Sequence, residues 1–175
     1  MDENEMTQRA IHGDADAFGN LLHCHEKQAY NVALRLLGNR QDAEDATQEG
    51  FFRAYRSIHT FDADRPFAPW LKKIVVNVCL NRMEKRETLP LEDDSKVVEQ
   101  GHEPEAQSLD HERSNQIRAA LMALPPHYRA VVELRHFNDL SYAEIAETLD
   151  RPLSDVKSDL FRARKLLAEK LKEAL

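Results

Sequence analysis

The chain has 175 residues, of which 42% are hydrophobic and 31% charged, and its formal net charge is −7. No apolar run approaches the length of a membrane span, and the acidic N-terminal stretch MDENEMTQRA does not have the character of a secretory signal. With only Cys24 and Cys79, a disulfide framework is excluded, and we expect a reduced, cytoplasmic protein. The five glycines and the scarcity of alternating apolar runs favour an all-α fold.

The negative charge is concentrated in one segment. Residues 87–112 hold nine acids and one base, a charge of −8, which leaves +1 for the rest of the chain. The same segment contains two prolines and one glycine and has no sustained periodicity, which predicts a flexible acidic linker. We therefore expect two small helical units, at residues 1–86 and 113–175, each large enough to bury one helical core.

Hydrophobic periodicity predicts four helices in each unit. The first four lie near residues 2–12, 15–37, 40–58 and 67–85, with a loop at residues 59–66. The second four lie near residues 111–123, 125–137, 141–149 and 153–174. Gly38 follows the second helix and suits its C-terminal cap, because glycine readily adopts the left-handed conformation found there.

Polar side chains recur with helical spacing on one side of the third predicted helix. This stripe consists of Asp45, Gln48, Glu49, Arg53 and Arg56, and Phe52 lies beside it. A mixture of acid, amide and arginine next to an aromatic ring fits a protein interface with a charged partner. Taken by itself, the stripe is better explained as a solvated helix face.

The fourth predicted helix carries a ridge of polar residues spaced four apart: Lys73, Asn77, Asn81 and Lys85. Amides can contact base edges and lysines can hold phosphates, which predicts a nucleic-acid surface. Trp70 at the top of this ridge is equally a base-stacking residue or a core residue. In the preceding loop, Phe61 and Asp62 are placed to trap an unstacked base.

Residues 140–167 predict a helix-turn-helix. Ser141 and Glu144 have the spacing of a capping box at the start of the first helix, and the sequence Asp150-Arg151-Pro152 interrupts the helical pattern. The second helix has a buried stripe and leaves an outward side that can enter a DNA major groove. That side consists of Lys157, Ser158, Phe161 and Arg162. An ordinary helical hairpin with a charged face is the alternative.

Two long runs resemble the extracytoplasmic-function group of RNA polymerase sigma factors, in the sigma-70 family. The first comprises DAEDATQEGFFRAYRSIHTF and RPFAPWLKKIVVNVCLNRMEKR, within residues 42–86, and resembles region 2 of these factors. The second, ALPPHYRAVVELRHFNDLSYAEIAETLDRPLSDVKSDLFRARKLL at residues 123–167, resembles region 4. The resemblance implies a region 2-like helical bundle and a region 4-like helix-turn-helix domain joined by the acidic linker.

The resemblance also implies a role for each surface. The stripe with Asp45, Gln48, Glu49, Phe52 and Arg53 matches the part that docks on the β′ clamp helices of core RNA polymerase. The fourth helix and its preceding loop match the part that recognises and melts the −10 element, here Phe61, Asp62, Trp70, Lys73, Asn77, Asn81, Arg82 and Lys85. The outward side of the last helix matches the part that reads the −35 element, and region 4 sits on the β flap.

A transcription initiation factor is thus implied, directing core polymerase to promoters of a stress or envelope response. We expect no catalytic residue, metal, cofactor, small-molecule substrate or membrane insertion, and an anti-sigma factor as a further partner. His23, Cys24 and His25 are clustered, but no second ligand pair has suitable spacing for zinc. The alternative function is a stand-alone helix-turn-helix regulator, which leaves the stripe and the ridge unexplained.

Two acids in the last predicted helix depart from the family pattern. Asp155 and Asp159 stand where many relatives have threonine and arginine. We expect Asp159 to lie beside the DNA, where it would repel phosphates or accept from a cytosine amino group. On that basis Asp159→Arg is predicted to strengthen DNA binding by the isolated second unit.

Overall fold

The computed structural model describes residues 2–89 and 109–174. Within these ranges the chain forms eight α-helices and no strand, which confirms the all-α prediction. The helices are α1 (Glu3–Ile11), α2 (Ala15–Leu37), α3 (Arg40–Ser57), α4 (Phe67–Thr88), α5 (Leu109–Met122), α6 (Pro126–Val132), α7 (Tyr142–Leu149) and α8 (Leu153–Glu173). No helix in the described ranges is long and apolar enough to cross a membrane.

The ends of the predicted linker are helical. Helix α4 continues to Thr88, and α5 already begins at Leu109. The central part of the linker, residues 90–108, lies outside the described residues. Elsewhere the helix bounds agree with the sequence to within a few residues, except that a short 3-10 turn at Ile58–Thr60 follows α3 and a π-helical turn at Glu133–Phe137 follows α6.

The predicted capping signals are present. The Ser141 hydroxyl accepts from the Glu144 amide at 3.2 Å, while the Glu144 carboxylate accepts from the Ser141 amide at 2.7 Å. Together these bonds form the capping box that fixes the start of α7. Gly38 ends α2 with a φ of 81°, in the left-handed region that favours glycine.

The helices of the first unit pack closely because small residues lie between them. Gly50 on α3 faces α4 so closely that a Cβ at this position would stand 2.8 Å from a methyl group of Val75. At the other end of this unit, Phe61, Phe67 and Trp70 pack together with ring centroids 4.9–5.9 Å apart. The loop before α4 is therefore anchored to the hydrophobic core.

The two units share a hydrophobic core. Val32 and Val75 of the first unit belong to the same buried cluster as Val131, Leu134 and Ile145 of the second. Each unit also has a smaller buried cluster of its own, around Phe67 in the first and Leu124 in the second, so the shared core is an addition that the sequence did not predict. The small helices of the second unit expose apolar faces on more than one side, and α2 and α4 cover part of that surface.

Buried polar contacts reinforce the packing of the two units. The Arg35 guanidinium on α2 forms a two-pronged ion pair with Glu133, which is 3% exposed, at 2.7–3.0 Å. Arg129 on α6 donates to the carbonyl of Leu36 at 2.7 Å and to that of Leu124 at 2.9 Å. It thereby satisfies carbonyls near the C-termini of helices from both units.

Candidate nucleic-acid and polymerase interfaces

The second unit contains the predicted helix-turn-helix. Helix α7 ends at Leu149 and is capped by Asp150, whose φ is 51°, and α8 begins after Pro152. Ile145, Val156 and Leu160 are buried and hold the two helices together. The arrangement matches the short first helix, tight turn and longer second helix of DNA-binding helix-turn-helix units.

The outward side of α8 is exposed as expected. Lys157, Ser158 and Arg162 are exposed, and the Phe161 ring is 71% exposed. With Lys165, these residues line a shallow, open depression. Lys165 was not predicted as part of this side, although it stands four residues after Phe161 and therefore lies on the same face of the helix. An exposed ring among three cations provides an apolar contact for bases and charges for phosphates.

Asp159 does not lie beside the DNA-facing side, so that expectation is wrong. Its side chain is only 8% exposed and forms an ion pair with Arg151 in the turn. Asp159 stands three residues after Val156 and four before Ala163, both of which are buried, so it lies at the edge of the buried stripe. We therefore expect Asp159→Arg to destabilise the turn rather than strengthen DNA binding, because it would put two arginines together where one side chain is buried.

The ridge on α4 is divided into a covered half and an open half. Lys73 donates to the main-chain oxygen of Glu147 at 3.0 Å, and the Asn77 amide donates to that of Thr148 at 3.4 Å. Asn81 and Lys85, one and two turns further along, are exposed. Helix α7 therefore covers the part of the predicted −10 surface nearest to the aromatic loop.

The covering groups resemble the acceptors that DNA would offer. The last carbonyls of a helix have no partner within it and form the negative end of its dipole. Lys73 and Asn77 thus bind oxygens with partial negative charge at the end of α7. Arg65 adds a contact with the Glu147 carboxylate at 3.5 Å. In this closed arrangement α7 takes up one donor of Lys73 and one of Asn77 and lies against this half of the ridge.

The aromatic residues of the loop and of α4 face inward. Phe61 is only 7% exposed, and Trp70, which is partly buried, packs against it with ring centroids 4.9 Å apart. Phe61 is therefore not available to stack on a base in this conformation, and its role as a base contact stays a prediction. Asp62 is exposed at the tip of the same loop.

The stripe on α3 is exposed, except at one residue. Asp45, Gln48 and Phe52 are open to solvent, and the Phe52 ring is 61% exposed. Glu49 is partly buried, and its carboxylate accepts from Arg53 at 2.5 Å and from Arg82 of α4 at 2.9 Å. The hydrogen bond from Arg82, with that from Arg53, holds the pKa of Glu49 below its ordinary value.

Neither cysteine lies in a site with evident chemistry. Cys24 is exposed, and Cys79 is buried in the shared core, where burial raises the pKa of its thiol to about 12. Within residues 2–89 and 109–174, no group of three His, Cys, Asp or Glu side chains is arranged to hold a metal ion.

Three residues that join the units were not found from the sequence. Arg35 and Glu133 are separated by 98 positions, and no short-range pattern links them. Arg129 lies within a run that resembles region 4, but its partly buried position depends on α2 and α5 packing around it. Such long-range partners are set by tertiary packing alone.

Comparison with known protein families gives two matches that together cover most of the described residues. Residues 21–88 match Sigma-70 region 2, and residues 114–167 match Sigma-70, region 4. The first match contains the α3 stripe and the α4 ridge, and the second contains the helix-turn-helix.

Individual relatives match over nearly the full chain. The ECF RNA polymerase sigma factor SigW of Bacillus subtilis is 35% identical over 172 residues, covering 92% of this chain and 92% of the relative. The RNA polymerase sigma-H factor of Pseudomonas aeruginosa is 29% identical over 184 residues, covering 99% and 95%. Among solved structures, the sigma factor RpoE of Bartonella quintana, in complex with the anti-sigma factor NepR, superposes with a TM-score of 0.68. At 24% identity over 89% of this chain and 96% of that one, the superposition supports the fold.

Proposed function

Because this chain belongs to the extracytoplasmic-function sigma factors of the sigma-70 family, we propose that its surfaces divide the work of promoter recognition between them. The outward side of α8 contacts the −35 element, the ridge on α4 contacts the −10 element, and the α3 stripe docks on core RNA polymerase. The chain itself is an RNA polymerase sigma factor, and the assignment of residues is the proposal.

The observation that carries this assignment is the separation of the exposed surfaces on one chain. Phe161 and its cationic neighbours project from α8, Asn81 and Lys85 from α4, and Asp45 and Gln48 from α3. The first two surfaces are cationic or amide-bearing and suit DNA, whereas the third mixes acids, an amide and arginines beside an exposed ring and suits a charged protein partner. A stand-alone regulator of duplex DNA needs only the first.

The closed packing adds a requirement to this function. Since α7 packs against Lys73 and Asn77, we expect the second unit to move away from α4 when the whole ridge binds the −10 element. Part of the contact is polar, and water can satisfy those groups after separation. Binding to polymerase and promoter, which hold the two units at separate sites, supplies the free energy for this opening.

We further propose that the chain works in the cytoplasm, where its polymerase acts, and performs no catalytic step of its own. An anti-sigma factor is a proposed partner, by analogy with the complex of the Bartonella relative. The name of the SigW relative states no inducing condition. The proposed role in a stress or envelope response therefore rests on the resemblance to the extracytoplasmic-function group.

Binding to purified core polymerase tests the assignment of the α3 stripe. Asp45→Ala and Gln48→Ala are expected to weaken binding, because each removes an exposed polar contact at the proposed interface. Glu5→Ala on α1 is the control, since it removes an exposed acid on another helix. Equal affinity in all three variants would remove the stripe from the interface. Tight binding of promoter fragments in the absence of polymerase would favour the stand-alone regulator.

A further inference from the structure

Glu49 physically joins the proposed polymerase surface to the proposed −10 surface. It lies within the α3 stripe, yet one of its carboxylate oxygens accepts from the Arg82 guanidinium on α4 at 2.9 Å. The other oxygen accepts from Arg53, one turn along α3, at 2.5 Å. A single carboxylate is therefore shared by two arginines from two surfaces.

Arg82 is poised beside the open half of the ridge. It follows Asn81 directly and precedes Lys85 by three residues, so its side chain lies on a neighbouring side of the same helix. Its Nε atom is buried and has no hydrogen-bond partner in the described part of the chain. Glu49 therefore accepts from only one end of this guanidinium. It also neutralises the positive charge of Arg82, which would otherwise attract a DNA phosphate.

The ion pair between Glu49 and Arg82 is weak enough for a binding partner to break. The Glu49 and Arg82 side chains are 34% and 30% exposed, and ion pairs of this kind contribute little free energy. The lowered pKa of Glu49 shows that its two arginine partners stabilise the ionised carboxylate, which is also the form that a cation of a docking protein would bind. An arginine or lysine of a docking protein would compete with Arg82 for the same oxygens.

We propose that Glu49 couples polymerase binding to DNA binding by holding and releasing Arg82. In the free chain Glu49 keeps Arg82 away from nucleic acid. When a basic group of the polymerase takes the Glu49 carboxylate, Arg82 turns to the phosphate backbone next to Asn81. The inference rests on the proposed docking of the α3 stripe, and it adds a route from that surface to the −10 surface.

The release of Arg82 is tested with the full-length chain and a single-stranded oligo-dT probe, since a phosphate contact needs no particular sequence. Glu49→Ala is compared with Glu44→Ala, which removes an exposed acid from the same helix. One added phosphate contact increases the slope of log affinity against log salt by about 0.7 for single strands. For variants that bind equally at about 1 M salt, this difference in slope gives a gain of about fivefold in affinity at about 0.1 M salt.

The expected result is that Glu49→Ala shows this gain relative to Glu44→Ala, and that Arg82→Gln in the Glu49→Ala background removes it. Glu49→Gln, which preserves the side-chain shape, should show a smaller change in the same direction. Equal salt slopes for Glu49→Ala and Glu44→Ala, in variants that melt at the same temperature as the unmodified chain, would overturn the proposal.

A second measurement separates this proposal from the proposed function. Binding of Glu49→Ala to core polymerase should be weaker than that of the unmodified chain. If the unmodified chain binds polymerase and Glu49→Ala binds equally well, the coupling is wrong while the sigma-factor assignment stands. If the unmodified chain fails to bind polymerase, the proposed function itself fails, whatever the oligo-dT slopes show.

Discussion

The ammonium group of Lys73 donates to the main-chain oxygen of Glu147, 3.0 Å away, and thereby ties the proposed −10 helix to the first helix of the helix-turn-helix. Asn77 repeats the contact one turn further along α4, with the carbonyl of Thr148. The two DNA-binding elements of the chain are thus in direct contact. The outward side of α8 is open in this arrangement, whereas we expect the ridge on α4 to become fully accessible only when the two elements part.

Glu147→Lys is expected to loosen the closed arrangement, because it places a lysine opposite Arg65 and close to Lys73. Replacing an exposed attraction by repulsion should raise the affinity of the full chain for single-stranded DNA by about two- to fivefold. It should also increase the radius of gyration measured by small-angle X-ray scattering. Glu112→Lys on α5 makes the same charge change at another exposed position and serves as control. Equal affinities and equal radii in the two variants would contradict a masking role for α7.

Because Asp159 is buried, replacing it with alanine should destabilise the chain more than replacing Asp155, a nearby acid on α8. Asp159→Ala should lower the free energy of unfolding by about 1–3 kcal/mol, because it leaves the Arg151 charge, 26% exposed, without its close partner. Asp155→Ala should cost less than about 1 kcal/mol, since Asp155 is half exposed and 3.8 Å from Arg151. Urea denaturation of both variants measures the difference. If Asp155→Ala is the more damaging, the assigned pairing is wrong.

Close contact between α3 and α4 predicts opposite effects for two glycine substitutions. Gly50→Ala should destabilise the chain by about 1 kcal/mol, because the clash with the buried Val75 methyl outweighs the better helix propensity of alanine. Gly19→Ala on α2 should stabilise it by about 0.5–1 kcal/mol, since a Cβ there meets no atom within 4 Å. Thermal unfolding distinguishes the two. Stabilisation by both substitutions would show that α3 and α4 are further apart than described.

The two cysteines should react with iodoacetamide at very different rates. With a pKa of about 12, only about one Cys79 thiol in ten thousand is ionised at pH 8, and the side chain is also buried. Cys24 is exposed and should be modified first. Mass spectrometry of the partly modified protein identifies the site, and full modification in denaturant is the control. Equal rates for both cysteines in native buffer would place Cys79 outside a stable core.

The sequence was sufficient for those features that depend on local pattern. The capping box of Ser141 and Glu144, the cap at Gly38 and the exposed side of α8 all follow from spacing along single helices. Features set by packing between distant segments were missed. Neither the contact of α7 with Lys73 nor the pairing of Arg35 with Glu133 has a signature in the neighbouring residues.

Asp159 shows how a local pattern can mislead. Family resemblance placed this position on the DNA-facing side, because relatives have a longer basic side chain there. A short carboxylate, next to a buried stripe and within reach of Arg151, turns inward instead. The ion pair between Asp159 and Arg151 decides which way this side chain points. Helical periodicity places Asp159 at the edge of the buried stripe but does not predict that pairing.

Transcription by purified core polymerase on a library of promoter fragments tests the central claim most directly. We expect this chain to bind core polymerase and give it promoter specificity. Adding the chain should produce discrete transcripts that core polymerase alone does not make, and variants that weaken polymerase binding should reduce them together. The same transcripts with and without the chain would contradict the account.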